Sequence, residues 1–397
     1  MENIININFI SISLEGLKKE LVMFSVWERQ SFINYDYIII GSGIVGLSTA
    51  ISIKEKEPNA TIAIFERGLL PTGASTKNAG FACFGSLTEL LQDIKTLGKD
   101  RTYNLAEERY KGLLKLRARL GDEAIDYQNH GGYELIREEE LGFLKDIDDV
   151  NSLLEPIFSS QPFHIDNKLI SKFGFNASTV KSIIYSPFEG QIDTGKMMKA
   201  LITKAKQKGI IIHTGAEVKT YSETENGVEV VVKDNLYEEI HFKAQKLAIC
   251  TNAFTKKLLP EAEVSPGRGL VLITKPINNL SIKGVFHMDQ GFYYFRNYED
   301  RIILGGARNL DIEIETTIEQ GFNNKIAENL THTLKEIILP DYQYEIDYFW
   351  SGIMAFGEHK EPLLTQVSDR VIAGYRLGGM GVAIGTQLGE KLANMMV

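Results

Sequence analysis

The chain has 397 residues, 43 Lys+Arg against 52 Asp+Glu for a formal charge of −9, 44% hydrophobic and 24% charged residues, and two cysteines. That composition supports one or two globular domains and excludes a disordered, collagenous or disulfide-stapled protein. The acidic balance offers no broad attraction for phosphate backbones, charged residues interrupt every apolar run before it could span a bilayer, and Cys83 and Cys250 lie far apart; no nucleic-acid partner and no membrane span are expected, and the cytoplasm is the expected compartment.

Residues 1–22 carry Glu2 at the start and Lys18-Lys19-Glu20 further on, the reverse of a signal peptide, and residues 1–34 are expected to be a lead-in. Tyr37-Ile38-Ile39-Ile40 is a short run rich in β-branched residues, followed by a glycine turn and a helical stretch to about Lys56. Pro58 ends that helix, and Thr61 to Phe65 reads as a second buried strand closing on Glu66. The result is a βαβ unit of the dinucleotide-binding type. Leu87 to Phe158 turns helical, interrupted by a hairpin-like break at Gly131 to Ile136. A helix over Ile192 to Lys206 leads into Ile210 to His213, short alternating strands follow from Glu217 to Phe242, and Lys246 to Thr251 looks like a strand returning to the first sheet. Strands dominate Gly269 to Leu304, Ile318 to Ile338 is expected to be helical, and Arg370 to Val397 reads as strand, glycine turn and helix. The two regimes interleave, as expected when one domain is inserted into another.

In Gly41-x-Gly43-x-x-Gly46 the first glycine permits a tight turn, the second lets the backbone approach a pyrophosphate, and the third lets helix and strand pack closely, while Ile44 and Val45 open a helix whose free N–H groups face the anion. Glu66, 25 positions after Gly41, is placed to accept hydrogen bonds from both hydroxyls of an adenosine ribose. NAD and FAD share this fingerprint. The segment after Arg67 separates them: Gly73-Ala74-Ser75-Thr76-Lys77-Asn78-Ala79-Gly80 has small residues that let the backbone lie against a flat ring, and hydroxyl and amide groups suited to a diphosphate or a flavin edge.

This stretch resembles the D-amino-acid oxidase and glycine oxidase family of FAD-dependent oxidoreductases, in which a similar Gly-Ala-Ser-x-x-Asn-Ala-Gly holds FAD. Weaker likenesses extend it: Gly215 to Val218 for the adenine, the returning strand and turn through Thr251 and Asn252, and Gly305 to Arg308 after Phe292 to Arg296. The C-terminal part is the most specific, with Trp350-Ser351-Gly352-Ile353-Met354, then Gly378-Gly379-Met380-Gly381-Val382 opening a helix. The resemblance implies that these glycine N–H groups and the helix N-terminus face the flavin where negative charge gathers on reduction. It implies an α/β chain with a Rossmann-like FAD-binding domain of the glutathione-reductase type, built from 35–86, 188–264 and 346–397. An interleaved α+β substrate domain on an antiparallel sheet takes 87–187 and 265–345. Some relatives attach FAD through a histidine where this chain has Asn78, others through a C-terminal cysteine absent here, so noncovalent FAD is the expectation. Cys83, near the flavin loop, is expected to be a small buried thiol.

The resemblance further implies hydride removal from a C–N bond of an amino acid or amine, with oxygen or another acceptor taking the electrons. A 2-hydroxy-acid dehydrogenase and a flavin oxidase acting on a modified macromolecule are the alternatives. In glycine-oxidase-like members a carboxylate-binding arginine follows the Trp-Ser-Gly-Ile run, but here that position is Met354. The carboxylate is then held by Arg296, Arg308, Arg268 or Arg376, or the substrate is an amine and Met354 a hydrophobic wall. Tyr293 and Tyr294 point to opposite strand faces, so at most one meets the flavin, and Arg296 shares the face of Tyr294. His287 is read either as a base or as a polar core residue. No cysteine and histidine run has zinc-site spacing, and no metal is expected.

Overall fold

The computed structural model describes residues 24–397, so the expectation for residues 1–22 lies outside the described residues. Asn34–Ile40 forms the centre of the first sheet, flanked in parallel by Ile62–Glu66 and Glu238–Ile249, in the order Leu363–Gln366, Val371–Tyr375, Glu238–Ile249, Asn34–Ile40, Ile62–Glu66, Ile211–Thr214. Tyr37 to Ile40 are buried on both faces, Ile39 against the helices Ile44–Lys56 and Gly381–Met396 and Ile38 and Ile40 against Phe65, Phe242 and Val230. An unbroken apolar run is what a covered parallel strand requires.

The strand expected to return at Lys246 is the second half of the single strand Glu238–Ile249. Its first half pairs antiparallel with Gly227–Asp234, which pairs in turn with Val218–Thr224, while its second half runs parallel to Asn34–Ile40 and Val371–Tyr375. No turn residue separates Phe242 from Lys246, so the chain passes from one pairing to the next without a break.

The second sheet has the order Ile346–Phe356, Ser265–Thr274, Arg301–Gly306, Tyr293–Tyr298, Val285–Met288, Gly132–Ile136, Ser182–Ser186, His164–Ile165. It is antiparallel except where Val285–Met288 meets Gly132–Ile136 in parallel, so the expected hairpin at Gly131 is instead an interior strand. Ile346–Phe356 bonds along its length to Ser265–Thr274, while its Ile353 and Ala355 join the core beneath the first sheet. The helix expected over Ile318 to Ile338 starts only at Asn324, because the Asn323 side chain accepts from the Ile326 N–H and caps it there. Asn324–Thr333 and the wide turn Leu334–Ile338 cover one face of the second sheet through Ile326, Leu330, Leu334 and Ile338. Between the two sheets, at the carboxyl ends of the parallel strands, lies one long cavity, the place where open α/β sheets bind ligands.

Candidate functional site

The cavity begins at the glycine turn. Gly41 has φ +105°, and a Cβ there would lie 2.6 Å from the Cys250 carbonyl oxygen; one on Gly46 would lie 1.9 Å from that of Gly41. Gly46 therefore packs strand against helix and does not itself line the cavity, whereas Gly41, Gly43, Ile44 and Val45 do. The Ile44 N–H donates to Ser75 Oγ at 3.1 Å, leaving the Ser75 hydroxyl proton and the following N–H groups of the helix N-terminus for an anion.

Glu66 ends its strand 7% exposed, with Oε2 accepting from the Ser42 N–H (3.1 Å) and hydroxyl (2.8 Å) and Oε1 accepting from the Gly68 N–H (3.0 Å). The carboxylate is held rigidly: both acceptor sites of Oε2 are filled, and Oε1 keeps one for the cavity. Beside it Ala216 and Val218 line the wall, and the Arg67 guanidinium lies 3.6 Å over the Phe254 ring.

The segment from Pro71 to Gly80 folds over the cavity by bonding to itself. Asn78 Nδ2 donates to the Ala74 and Ser75 carbonyls, and Oδ1 accepts from the Gly80 N–H and the Thr194 hydroxyl. All four of its bonds are used, so Asn78 shapes the loop and has none left for a ligand. The Thr76 hydroxyl is likewise committed, to the Pro71 and Gly73 carbonyls. Ala74, Ser75 and Ala79 line the cavity; Gly80, with φ +78° and packed on the Ile192 carbonyl, lies behind it.

The opposite wall comes from the C-terminal third. Trp350 Nε1 donates to the Lys77 carbonyl, and a Cβ on Gly352 would lie 2.7 Å from Lys77 Cβ, so backbone and loop approach closely. Gly379, Met380, Gly381 and Val382 line the cavity at the start of the helix Gly381–Met396, where first-turn N–H groups have no intrahelical acceptor. Asn252 accepts from the Arg376 and Leu377 N–H groups, tying that turn to Thr251, which also lines the wall.

Beyond this wall Tyr294, Met354, Arg308, His287, Cys83 and Glu89 close the end of the cavity. Tyr294 stacks edge-on to Phe81, and burial pushes its hydroxyl up to about 12. Tyr293 points the other way and donates to Asn329 at 2.7 Å, which settles which tyrosine faces inward. Arg296 does not line the cavity. One residue pair beyond Tyr294, it is carried beneath Gly80, where burial lowers its pKa to about 10. That position holds it away from the substrate end, contrary to the expected role of substrate anchor. Arg268 is held bidentately by buried Glu315 at 2.8 Å, and Arg376 donates to the Glu361 and Glu263 carbonyls. Arg308 alone of the four lines the cavity; it lies 4.2 Å over the Phe356 ring, with no carboxylate within ion-pair range among the described residues, and burial lowers its pKa.

Four further residues went unremarked in the sequence. Lys77 fills one of the open positions of the Gly-Ala-Ser-x-x-Asn-Ala-Gly stretch, Gln290 sits in a loop with no pattern, Lys360 pairs with Asp93 at 2.9 Å, and Glu89 was legible only as the partner of Ser86 in a helix-capping box. Cys83, expected as a small buried thiol, is buried and borders the cavity, and burial, opposed by contact with His287, pushes its pKa up to about 11.

A family model described as FAD dependent oxidoreductase matches residues 36–395. The fold is similar to that of L-proline dehydrogenase from P. horikoshii, with TM-score 0.75 and 17% identity over 92% of this chain and 94% of that one. It is similar also to glycine oxidase from Geobacillus kaustophilus, with TM-score 0.73 and 20% identity over 92% and 95%. L-amino acid deaminase from Proteus vulgaris gives TM-score 0.70 and 17% identity over 91% and 90%. A sequence search of curated proteins returns no match.

Proposed function

The chain belongs to the family of FAD dependent oxidoreductases, and from that premise we propose that it oxidises the C–N bond of a small amino acid or amine, giving an imine that hydrolyses to a carbonyl compound and ammonia or an amine. The fold is an FAD-binding Rossmann-like sheet joined to a second sheet that closes the cavity. FAD is its cofactor, and when bound supplies the hydride acceptor.

The residues present fit that cofactor. The glycine turn leaves a cradle that side chains would fill, Ser75 and the N-terminus of Ile44–Lys56 suit the diphosphate, and Glu66 suits the ribose hydroxyls. Ala216 and Val218 would border the adenine, and the N–H groups of Gly379 to Val382 the electron-rich edge of the flavin. Asn78 stands where some relatives carry an attaching histidine, which supports noncovalent binding. We divide the chain into an FAD domain of 35–86, 188–264 and 357–397 and a substrate domain of 87–187 and 265–356, moving the expected boundary from 346 to 357 because Ile346–Phe356 pairs along its length with Ser265–Thr274.

The observation that carries the reaction is the half-buried Arg308 guanidinium, unpaired among the described residues and turned into the substrate end of the cavity. Such a cation suits a carboxylate, which it would hold bidentately while Tyr294 and Met354 confine the reacting carbon. Structural neighbours named for the oxidation of proline, glycine and L-amino acids support this class of substrate. No described helix is long and apolar enough to cross a membrane, and two free buried cysteines support a cytoplasmic setting. The test is anaerobic bleaching of the bound flavin band. Amino acids of both hands, N-methyl glycine, polyamines and 2-hydroxy acids are added in turn. An amino acid or amine should bleach it, and bleaching by hydroxy acids alone would overturn the assignment.

A further inference from the structure

Behind the substrate end of the cavity, three chain segments bring together groups that the oxidation does not require. Cys83 follows the short strand Phe81–Ala82, Glu189 lies in the turn before Gly190–Gln191, and His287 sits within Val285–Met288. All three are buried, and one ligand atom from each lies within 4.8 Å of the other two. We propose that Cys83 Sγ, Glu189 Oε2 and His287 Nε2 form a zinc(II) site whose fourth position opens into the substrate cavity.

The unpartnered nitrogen is the first reason. His287 is 6% exposed, and its Nε2 has no hydrogen-bond partner although Glu189 Oε2 stands 3.7 Å away. That distance is too long for a hydrogen bond. It is close to the separation of a nitrogen and an oxygen ligand on one tetrahedral zinc, about 3.3–3.5 Å for bonds of about 2.0–2.2 Å, so the two atoms would draw together by a few tenths of an ångström on loading. Glu189 Oε1 is already committed, accepting from the Phe84 and Gly85 N–H groups, so the turn fixes the carboxylate and leaves Oε2 facing the imidazole.

The surroundings supply what lies behind the ligands. Glu89 Oε2 accepts from the Ser86 N–H and stands 3.7 Å from His287 Nδ1, beyond hydrogen-bond length but close enough that a small side-chain rotation on metal binding would let the carboxylate orient the imidazole and raise its basicity. One thiolate, one imidazole and one carboxylate form a mixed set suited to zinc, and three protein ligands leave a place for water or for the oxygen or nitrogen donor of a small molecule. Cys83 and His287 both line the cavity, so that place faces it. Zinc has no accessible redox change and would not divert electrons from a neighbouring flavin. Loading displaces the thiol proton and any imidazolium proton to solvent, and the thiolate and Glu189 then balance the two charges of the ion.

The site stands whichever bond the enzyme oxidises. Tag-free, FAD-loaded protein from zinc-supplemented medium should contain about one zinc per chain by mass spectrometry. X-ray absorption at the zinc edge should show one sulfur at about 2.3 Å with nitrogen and oxygen ligands at about 2.0 Å. Cys83→Ser and His287→Asn should retain FAD and lose the zinc. Glu89→Gln should weaken zinc binding to metal-free protein roughly 10- to 100-fold by calorimetry. Should either ligand variant fail to fold, the absorption edge of the unaltered protein decides. Zinc-free protein that binds added zinc only at about 100 μM or weaker, equal zinc in parent and ligand variants, or an all-oxygen zinc shell would overturn the proposal.

Discussion

Replacing Glu66 by alanine tests the centre of the cofactor assignment. The carboxylate accepts three hydrogen bonds from Ser42 and Gly68, which leaves one acceptor site, on Oε1, for the cavity. One ribose hydroxyl donating to the site left on Oε1 contributes about 2 kcal/mol, so Glu66→Ala should weaken FAD binding roughly 30-fold. The same substitution strips an acceptor from the Ser42 and Gly68 groups, and the apoprotein should lose about 1–2 kcal/mol of stability, softened where water enters from the cavity. The two effects separate by titrating apoprotein with FAD below its melting temperature and following the quenching of flavin fluorescence, with circular dichroism to show that the variant is folded. A folded variant whose dissociation constant stays within about threefold of the parent would remove Glu66 from the ribose site.

Arg308→Met should raise KM for an amino-acid substrate roughly 100-fold while leaving FAD content unchanged, because a bidentate charge-assisted pair contributes about 3 kcal/mol; an unchanged KM would dismiss Arg308 as the anchor. Gly46→Ala forces a Cβ onto the Gly41 carbonyl 1.9 Å away, backbone against backbone. Overpacking of this kind costs about 2 kcal/mol or more, so the denaturant midpoint should fall markedly, and a neutral result would refute the close packing of strand on helix. Burial raises Glu134 from 4.5 to about 7, against hydrogen bonds from Thr88 and Ser86 that lower it. The folded state then binds this proton more tightly than the unfolded chain, so stability falls as pH rises through that window, by up to about 3 kcal/mol. Urea unfolding at about pH 5 and about pH 7.5 should show the loss, Glu134→Gln should flatten it, and equal slopes in parent and variant would contradict a buried protonated Glu134.

What was legible in the sequence was local, and what was not depended on distant segments meeting. Gly41, Gly43, Gly46 and Glu66 lie within one βαβ unit, so spacing alone placed the turn and the acid, and the same holds for the glycine turn that opens Gly381–Met396. Alternation on a strand narrowed Tyr293 and Tyr294 to one inward residue without saying which; packing of Tyr293 on Asn329 decides it. The same alternation placed Arg296 beside Tyr294 on one face, yet one residue pair along the strand was enough to carry it from the cavity to the underside of Gly80. A shared face is thus weaker evidence for a shared site than it first looks, because a cavity is only a few residues wide. The choice among four arginines likewise turned on their partners: Glu315, 47 positions from Arg268, takes up that cation, whereas Arg308 has no carboxylate partner among the described residues. Cys83, Glu189 and His287 are separated by about a hundred residues each and match no ligand spacing. They meet because Phe81–Ala82 pairs with Gly190–Gln191, and His287 comes to both from the second sheet. A search of the sequence for metal-ligand spacing was bound to miss them, because the spacing rules describe sites built within one turn or hairpin, and this one is built by two sheets closing on each other.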